Sequence, residues 1–353
     1  MVYLYDQPAV RSQSVYHAVG YATGVDGPDT ILVTTPAEPY VSIGYHQRAA
    51  DELDLGTCAA LGLPVVRREV GGGAVYLDSG QVFVNWVFRH DRLPPMLADR
   101  YARYAAVLVA TYQGYGIPAE LRPVNDIHVR GRKIGGTGAA RLGEAELVVG
   151  SLMLDFDTET MAAVLRVSSV KMRDKVVGAL RDYMTTMRRE LGVEPDRDEV
   201  VDRYLAACSR FLGRPMVPGT LTAVELARAR ELDEVMSSPS WTHRTDGRRV
   251  AGVQIHAGVQ VHATEYKAPA GLLRITTVVR DGVLAEVSID GDVTVLPQDA
   301  LTRLEAGLVG VGAGRGQILV AVEQWYDRTG VDAPGLPPAE LVAAIVAALP
   351  APG

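Results

Sequence analysis

Short runs of β-branched and aromatic residues recur early in the chain: 30–34 (TILVT), 40–43 (YVSI), 64–67 (PVVR) and 82–88 (VFVNWVF), each bounded by Pro, Gly, Asp or Gln. Runs of this kind predict strands. Between them LDLGTCAALG is helix-like, with Leu53, Ala60 and Leu61 available to one face. After Pro94 the segment PPMLADRYARYAAVLVATYQGYG predicts a helix of about four turns or more. Its expected buried residues are Met96, Tyr101, Tyr104, Val107 and Val109, and it ends near Gly114 or Gly116. IHVRGRKIGGTGAARLGEAELVVGSLMLDF then reads as two or three strands joined by tight turns. An all-helical stretch follows from about 157 to 236, in which Val177, Leu180, Met184, Met187 and Leu191 keep helical spacing before Gly192. Thr222 and Glu225 form a capping box for LARARELDEVM.

The polar, aperiodic run PSWTHRTDGRR (239–249) predicts a boundary, with a catalytic candidate over 1–243 and an accessory domain over 250–353. In the tail GVQIHAGVQVHATEY alternates, and LLRITTVVRDG and VLAEVSIDGDV predict a hairpin turning at Asp281-Gly282. Two helices follow, with ALTRLEAGLVGV and PAELVAAIVAAL as cores, and GVGAGRG (310–316) between them reads as a loop. The tail therefore reads as a small α+β domain.

Composition narrows the function. At about 150 residues per domain, 353 residues make about two domains. A net charge of -7 disfavours a nucleic-acid partner. With 48% hydrophobic and 22% charged residues the chain is not mainly disordered. Cys58 and Cys208, with no CxxC, exclude a disulfide scaffold and a thiolate zinc site, and both read as quiet buried thiols. The start has no basic region followed by an apolar run, and no apolar run is long enough to span a bilayer, so the expectation is a cytoplasmic protein with no membrane partner. The 36 glycines, about a tenth of the chain against an ordinary share of about 7%, are the anomaly to place.

Some of them fall in two clusters that suit chemistry, and the rest read as turns. In Arg67-Arg68-Glu69-Val70-Gly71-Gly72-Gly73-Ala74-Val75-Tyr76-Leu77-Asp78, three glycines after a strand can bring backbone N–H groups to an anion, although the Walker order is missing. The competing reading is a tight connection that needs positive φ. In Asn125-Asp126-Ile127-His128-Val129-Arg130-Gly131-Arg132-Lys133-Ile134-Gly135-Gly136-Thr137-Gly138, hairpin geometry folds the Asn-Asp pair toward Lys133. Lysine is a point charge for phosphate or carboxylate, and Asp126 suits magnesium. Arg130, Arg132 and Lys133 also read as a solvated basic turn. Together with Arg141 they offer a local patch for an acidic partner. Gly44-Tyr45-His46-Gln47 is a weaker candidate for a pocket rim. The remaining histidines, including His17, His256 and His262, lack metal-ligand spacing, and GxSxG is absent.

RREVGGGAVYLDSG, NDIHVRGRKIGGTGAAR and PYVSIGYHQ occur in the order and at the separations of the lipoate-protein ligase A family, which shares a superfamily with biotin-protein ligases and octanoyltransferases. The resemblance covers about residues 10 to 240, and the tail resembles the accessory domain of two-domain ligases. It implies a mixed sheet flanked by helices with a small α+β domain behind it. The implied activity uses ATP and Mg2+ to adenylate lipoate or a similar carboxylic acid. The acyl group then passes to a lysine of a lipoyl acceptor domain of a dehydrogenase complex or glycine cleavage protein, and the enzyme is expected to be a monomer. Carried over by position, Arg68, Gly71, Gly72, Gly73, Ala74 and Tyr76 bind the acyl-adenylate, Asn125 and Asp126 face the phosphate with Asp126 on magnesium, and Lys133 is the catalytic cation. Gly44, His46, Leu77, Asp78 and Gly136 line the acyl pocket. Two departures stand out: the family's His-Asp-x-Gly-Asn is Leu77-Asp78-Ser79-Gly80-Gln81, and its His-Gly is Val149-Gly150. The segment Leu121 to Asn125, near which cysteine-dependent octanoyltransferases carry their thiol, has no cysteine. The resemblance therefore points to an ATP-dependent ligase, with a carrier-dependent octanoyltransferase or a ligase-like ligand-binding protein as alternatives.

Overall fold

A computed structural model describes residues 1–24, 27–166, 170–245 and 259–350. The chain divides into two compact units: Met1–Ile43 with Ala49–Glu69 and Ala74–Thr242, and Gly44–Arg48 with Val70–Gly73 and His243–Gly353.

The strands of the first unit are β1 (Val2–Gln7), β2 (Thr30–Pro36), β3 (Tyr40–Ile43), β4 (Val65–Arg67), β5 (Val75–Leu77), β6 (Gln81–Arg89), β7 (Ala119–Arg122), β8 (Asp126–Val129), β9 (Arg132–Leu142) and β10 (Ala145–Met153). They build a seven-stranded sheet in the order β1-β2-β6-β10-β9-β8-β7 and a three-stranded sheet β4-β3-β5. The β1–β2 and β3–β4 pairs are parallel and the rest antiparallel, so both sheets are mixed. This is the α+β arrangement of a mixed sheet flanked by helices.

Alternation along the central strands gives the large sheet two buried faces. On one face the helices Leu97–Gln113 and Arg197–Leu212 cover Trp86, whose indole N–H donates to Tyr204 at 2.9 Å and whose ring meets Tyr104 edge-on at 5.1 Å. Helix Ala9–Ala22 covers the other, so close that a Cβ on Gly20 would lie 2.9 Å from the Leu147 side chain. The helix Ala223–Met236 packs behind it through Ala18, Ala229 and Leu232, and the expected Thr222–Glu225 capping box opens that helix.

Several expectations for individual residues change. Met96 is the N-cap of its helix and 55% exposed, because Pro94 and Pro95 hold the preceding chain extended, and Val109 is only half-buried. Arg100 is buried instead, donating to the carbonyls of Pro94 and Pro95 and pairing with buried Glu146 at 2.7 Å. In the short helix Leu55–Ala60, capped by Asp54, the buried residue is Cys58; Leu53 is buried just ahead of the cap, while Ala60 and Leu61 face solvent. The helical spacing from Val177 to Leu191 spans two helices, 170–183 and Met187–Leu191. Thr186 interrupts it by capping the second, its hydroxyl accepting from the Arg189 N–H.

In the second unit β11 (Val259–Ala268), β12 (Gly271–Arg280) and β13 (Val283–Gly291) form an antiparallel meander. Asp281 and Gly282 turn it with φ of 50° and 77°, the left-handed pair of a tight hairpin. Helices Ala300–Leu308, Arg315–Thr329 and Pro338–Ala347 close a core of Leu273, Ile275, Ile289, Leu304, Leu341 and Ile345. The middle helix is the one the sequence reading omitted: only the first part of GVGAGRG is loop, and Gly314 caps a helix that begins at Arg315. Residues 246–249 of the expected boundary, and His256, lie outside the described residues.

The glycine triplet belongs to this second unit, and it has a packing reason. A Cβ on Gly71 would stand 2.6 Å from the Val293 carbonyl oxygen and one on Gly73 3.2 Å from the Asp292 carboxylate. Gly72 has φ of 93° and donates its N–H to Val293 at 3.3 Å. Beside it, Tyr45 N–H donates to Val70 and Gly291 N–H to the His46 carbonyl, both at 3.0 Å. A Cβ on Gly44 would fall 1.9 Å from the Gly72 oxygen. Among the described residues no helix is long and apolar enough to cross a membrane.

Two outcomes are expected. Gly44→Ala should lower unfolding stability by about 3 kcal/mol, since the methyl meets backbone that no rotamer change can clear, with Gly62→Ala, which meets nothing, costing about 1 kcal/mol; urea midpoints of the two variants check this. Both thiols are buried, and burial raises Cys58 and pushes Cys208 up to about 12, so iodoacetamide at pH 8 should label neither until the chain is unfolded. Mass spectrometry of the native and denatured protein reads the result.

Candidate functional site

The chemistry gathers on the β8–β9 hairpin. Arg130 and Gly131, with φ of 48° and 82°, make its turn, and the register begins Val129↔Arg132 and His128↔Lys133. It then shifts to Ile127↔Gly135 and Asp126↔Gly136, so that Ile134 is an extra residue in β9. In a regular strand Lys133 and Gly136 would face opposite sides; one inserted residue restores them to the same side. Asp126 and His128, two apart on β8, share that side too.

The consequence is a compact polar cluster. Lys133 Nζ lies 2.7 Å from Asp126 Oδ1, with side-chain exposures of 29% and 25%. A Cβ on Gly136 would sit 3.1 Å from Lys133 Nζ and 3.3 Å from Asp126 Oδ1, so glycine leaves the floor open beside the ion pair. Asp126 Oδ2 accepts from the Tyr183 hydroxyl at 3.5 Å and has His128 Nε2 at 3.8 Å. His128 is buried and neither ring nitrogen makes a hydrogen bond; its ring meets Tyr183 edge-on at 5.8 Å. Burial pushes the Tyr183 phenol above its ordinary value. The break between helices 170–183 and Met187–Leu191 is pinned here, because Thr185 N–H donates to the Lys133 carbonyl at 2.9 Å.

Asn125 straps the cluster from below. Its side-chain amide donates to the Thr137 carbonyl, and its own carbonyl accepts the Thr137 N–H at 2.9 Å and hydroxyl at 3.1 Å. The cations expected as a surface patch are largely spoken for: Arg130 pairs with Glu190, Arg141 with Glu146 and Lys133 with Asp126. Among the described residues no three His, Cys, Asp or Glu side chains gather as a metal site. In this cluster Asp126 is the one carboxylate described, a donor set that fits magnesium carried on phosphate oxygens and does not fit a protein-built cage.

The other expected residues stand on the smaller sheet and its edges. Arg68, 8% exposed, donates to the Ser42 carbonyl at 3.3 Å and hydroxyl at 3.2 Å. Its neighbour Arg67 is fully buried and structural, donating to the carbonyls of Trp241 and Thr242 while the Trp241 indole N–H returns to the Arg67 carbonyl at 3.0 Å. Glu69 accepts from the Tyr21 hydroxyl at 2.6 Å and donates its N–H to His17 Nε2 at 3.1 Å. With Nδ1 2.6 Å from the Gln13 carbonyl, His17 is a neutral Nδ1–H tautomer, and burial lowers its pKa in the same sense. Ala74 is half-buried at the start of β5 and Tyr76 is buried within it. Leu77 packs with Tyr40 and Phe83. Asp78 accepts the Gly80 N–H at 2.8 Å and a hydrogen bond from Tyr76, and burial raises its carboxyl above the ordinary range.

The structure thus brings together Lys133, Asp126, Asn125 and Gly136 in the first unit, where Arg68, Ala74, Tyr76, Leu77 and Asp78 also lie. Gly44, His46, Gly71, Gly72 and Gly73 form their own packed group in the second. Sequence reasoning missed His128 and Tyr183 as companions of Asp126. The two-residue spacing of Asp126 and His128 on a strand was the available signal for the first, and nothing local signalled the second.

The sequence model of the lipoyl protein ligase A/B catalytic domain matches residues 17–209. Lipoate-protein ligase A subunit 1 of Thermoplasma acidophilum is 33% identical over 241 residues, covering 65% of this chain and 91% of the relative. Octanoyltransferase LipM of Kyrpidia tusciae is 27% identical over 240 residues, covering 62% and 88%. Among solved structures, the bipartite lipoate protein ligase of Thermoplasma acidophilum superposes with a TM-score of 0.64 at 24% identity over 71% of this chain and 98% of that one. Plasmodium falciparum LipL1, solved with lipoate, superposes with 0.72 at 12% identity over 98% and 99%. The polar cluster on the bulged hairpin lies inside the matched region, and the chain belongs to the lipoyl protein ligase A/B catalytic-domain family.

Proposed function

We propose that the protein is an ATP-dependent lipoate-protein ligase. The observation that carries this reading is the Lys133–Asp126 ion pair standing over Gly136 on the bulged strand. A fixed ammonium beside an open glycine floor suits a small carboxylate and then the phosphate to which it becomes joined. In the first half-reaction a carboxylate oxygen of the acid attacks the α-phosphorus of ATP, the new P–O bond forms and pyrophosphate leaves. Lys133 exchanges Asp126 for the substrate carboxylate and neutralises the charge that gathers on the phosphoryl oxygens. Asp126, released from the pair, is the carboxylate that would hold magnesium carried on the nucleotide, and the ion would add positive charge beside the phosphoryl oxygens. In the second half-reaction the acceptor lysine attacks the acyl carbonyl and AMP leaves, so no nucleophile from this chain is needed. A lipoate-protein ligase A has been solved with ATP, and it resembles this chain with a TM-score of 0.60 at 24% identity, which supports use of the same nucleotide here.

The LipM relatives favour a second reading, acyl transfer from a carrier without ATP. Such transfer through a thioester needs a reactive thiol. Cys58 and Cys208 are both buried with raised pKa, and Leu121–Asn125 contains no cysteine.

Purified protein given ATP, magnesium and lipoate or octanoate should release pyrophosphate, and Lys133→Ala should slow that release by about 100-fold or more; release at the original rate would remove Lys133 from the proposed role. Given octanoyl carrier protein and an acceptor domain without ATP, the protein should transfer nothing. Transfer detected by mass spectrometry of the acceptor would replace the ligase reading with the octanoyltransferase one.

A further inference from the structure

We infer that the acid accepted by this protein carries a hydrogen-bond acceptor at its distal end, read by Asn85 with Thr34. This rests on the acid-activating reading above and adds the substrate class.

The path is drawn by the strand register. Gly136 faces the Lys133–Asp126 pair, and Gly138, two residues on, faces the same side. Directly across, Gly138 pairs with Val149, Val149 with Asn85, and Asn85 with Leu32. Directly opposed residues share a face, so Gly136, Gly138, Val149, Asn85 and Leu32 form one band over β9, β10, β6 and β2. Near Lys133 the band is glycine. Its middle is Val149, where the family's histidine is replaced by an aliphatic side chain. Two strand spacings and two residues along a strand span about 12 Å, the reach of an extended medium-chain acid whose carboxylate is at Lys133.

Past Val149 the band turns polar at Asn85 before it reaches Leu32. Asn85 is 2% exposed and its Nδ2 has no hydrogen-bond partner. Thr34 pairs with Phe83, which puts it on the same face and diagonal to Asn85; it is fully buried and its hydroxyl is also without a partner. Buried polar groups in folded proteins are nearly always hydrogen-bonded, and two donors orphaned side by side on one face call for an acceptor supplied from outside the chain. A plain alkyl terminus would leave both orphaned; a terminus bearing oxygen or sulfur would not. Sites that hydrogen-bond a substrate group discriminate strongly against the analogue lacking it.

The test is titration calorimetry of the full chain with octanoate, ω-hydroxyoctanoate and lipoate, alongside pyrophosphate release. The wild-type protein should bind ω-hydroxyoctanoate at least about tenfold more tightly than octanoate, with lipoate showing whether sulfur serves as well as oxygen. Asn85→Leu should reverse that order, and Asn85→Thr, which keeps a donor, should retain part of it. Melting temperature gives a readout independent of ligand: Asn85→Leu removes no hydrogen bond and should not lower it. Equal affinities in the wild type, or a large drop in melting temperature in the leucine variant, overturn the inference. Pyrophosphate release with no preference among the acids overturns it while leaving the ligase reading intact. Absence of both binding and release for all three acids removes the two together.

Discussion

One inserted residue organises the candidate site. Ile134 interrupts the alternation of β9, and without it Lys133 would point away from Asp126 and Gly136. Everything else around the pair serves to hold that displaced strand: Asn125 straps its inner end through Thr137, Thr185 grips the Lys133 carbonyl, and the Arg130-Gly131 turn closes the hairpin. A bulge spends a ladder hydrogen bond and strengthens local twist, and the surrounding bonds offset that loss. An ion pair with each partner about three-quarters buried keeps both side chains in place while part of each still meets water.

The two glycine clusters, alike in composition, solve different problems. Gly136 lies in a strand, half-buried, and puts no side chain beside the Lys133–Asp126 pair. Gly71, Gly72 and Gly73, with Gly44, let backbone meet backbone against Val293 and Asp292. In the first case the missing side chain keeps the space beside an ion pair clear. In the second the room is already filled by the chain itself.

The strands, the hairpin at Asp281-Gly282, the capping box and the family motifs were legible because each rests on local chemistry: β-branching, a pair of left-handed residues, or a reciprocal hydrogen bond. What failed to read from sequence depends on distant partners. Met96 is apolar yet exposed because two prolines end the preceding segment before the helix begins, and Arg100, on that helix, is charged yet buried because it pairs with Glu146 on β10. The helical spacing from Val177 to Leu191 concealed a break that is needed where Thr185 meets Lys133. The middle helix of the second unit follows a glycine-rich loop whose composition suggests continued irregular chain. At the candidate site the residue types were legible and the side of the sheet was not, because parity along β9 changes at a residue, Ile134, that looks ordinary.

The glycine triplet also bears on how the protein comes to be folded. Its partners, Val293 and Asp292, stand more than two hundred positions later in the chain, so these contacts have a high sequence separation and a correspondingly large loop to close. During synthesis the segments Gly44–Arg48 and Val70–Gly73 emerge long before Gly291, Asp292 and Val293, against which they pack, while the seven-stranded sheet has all its strands once Met153 is made. The sheet can therefore settle early, and the loop must wait for the ribosome to deliver the last third of the chain before it has a shape.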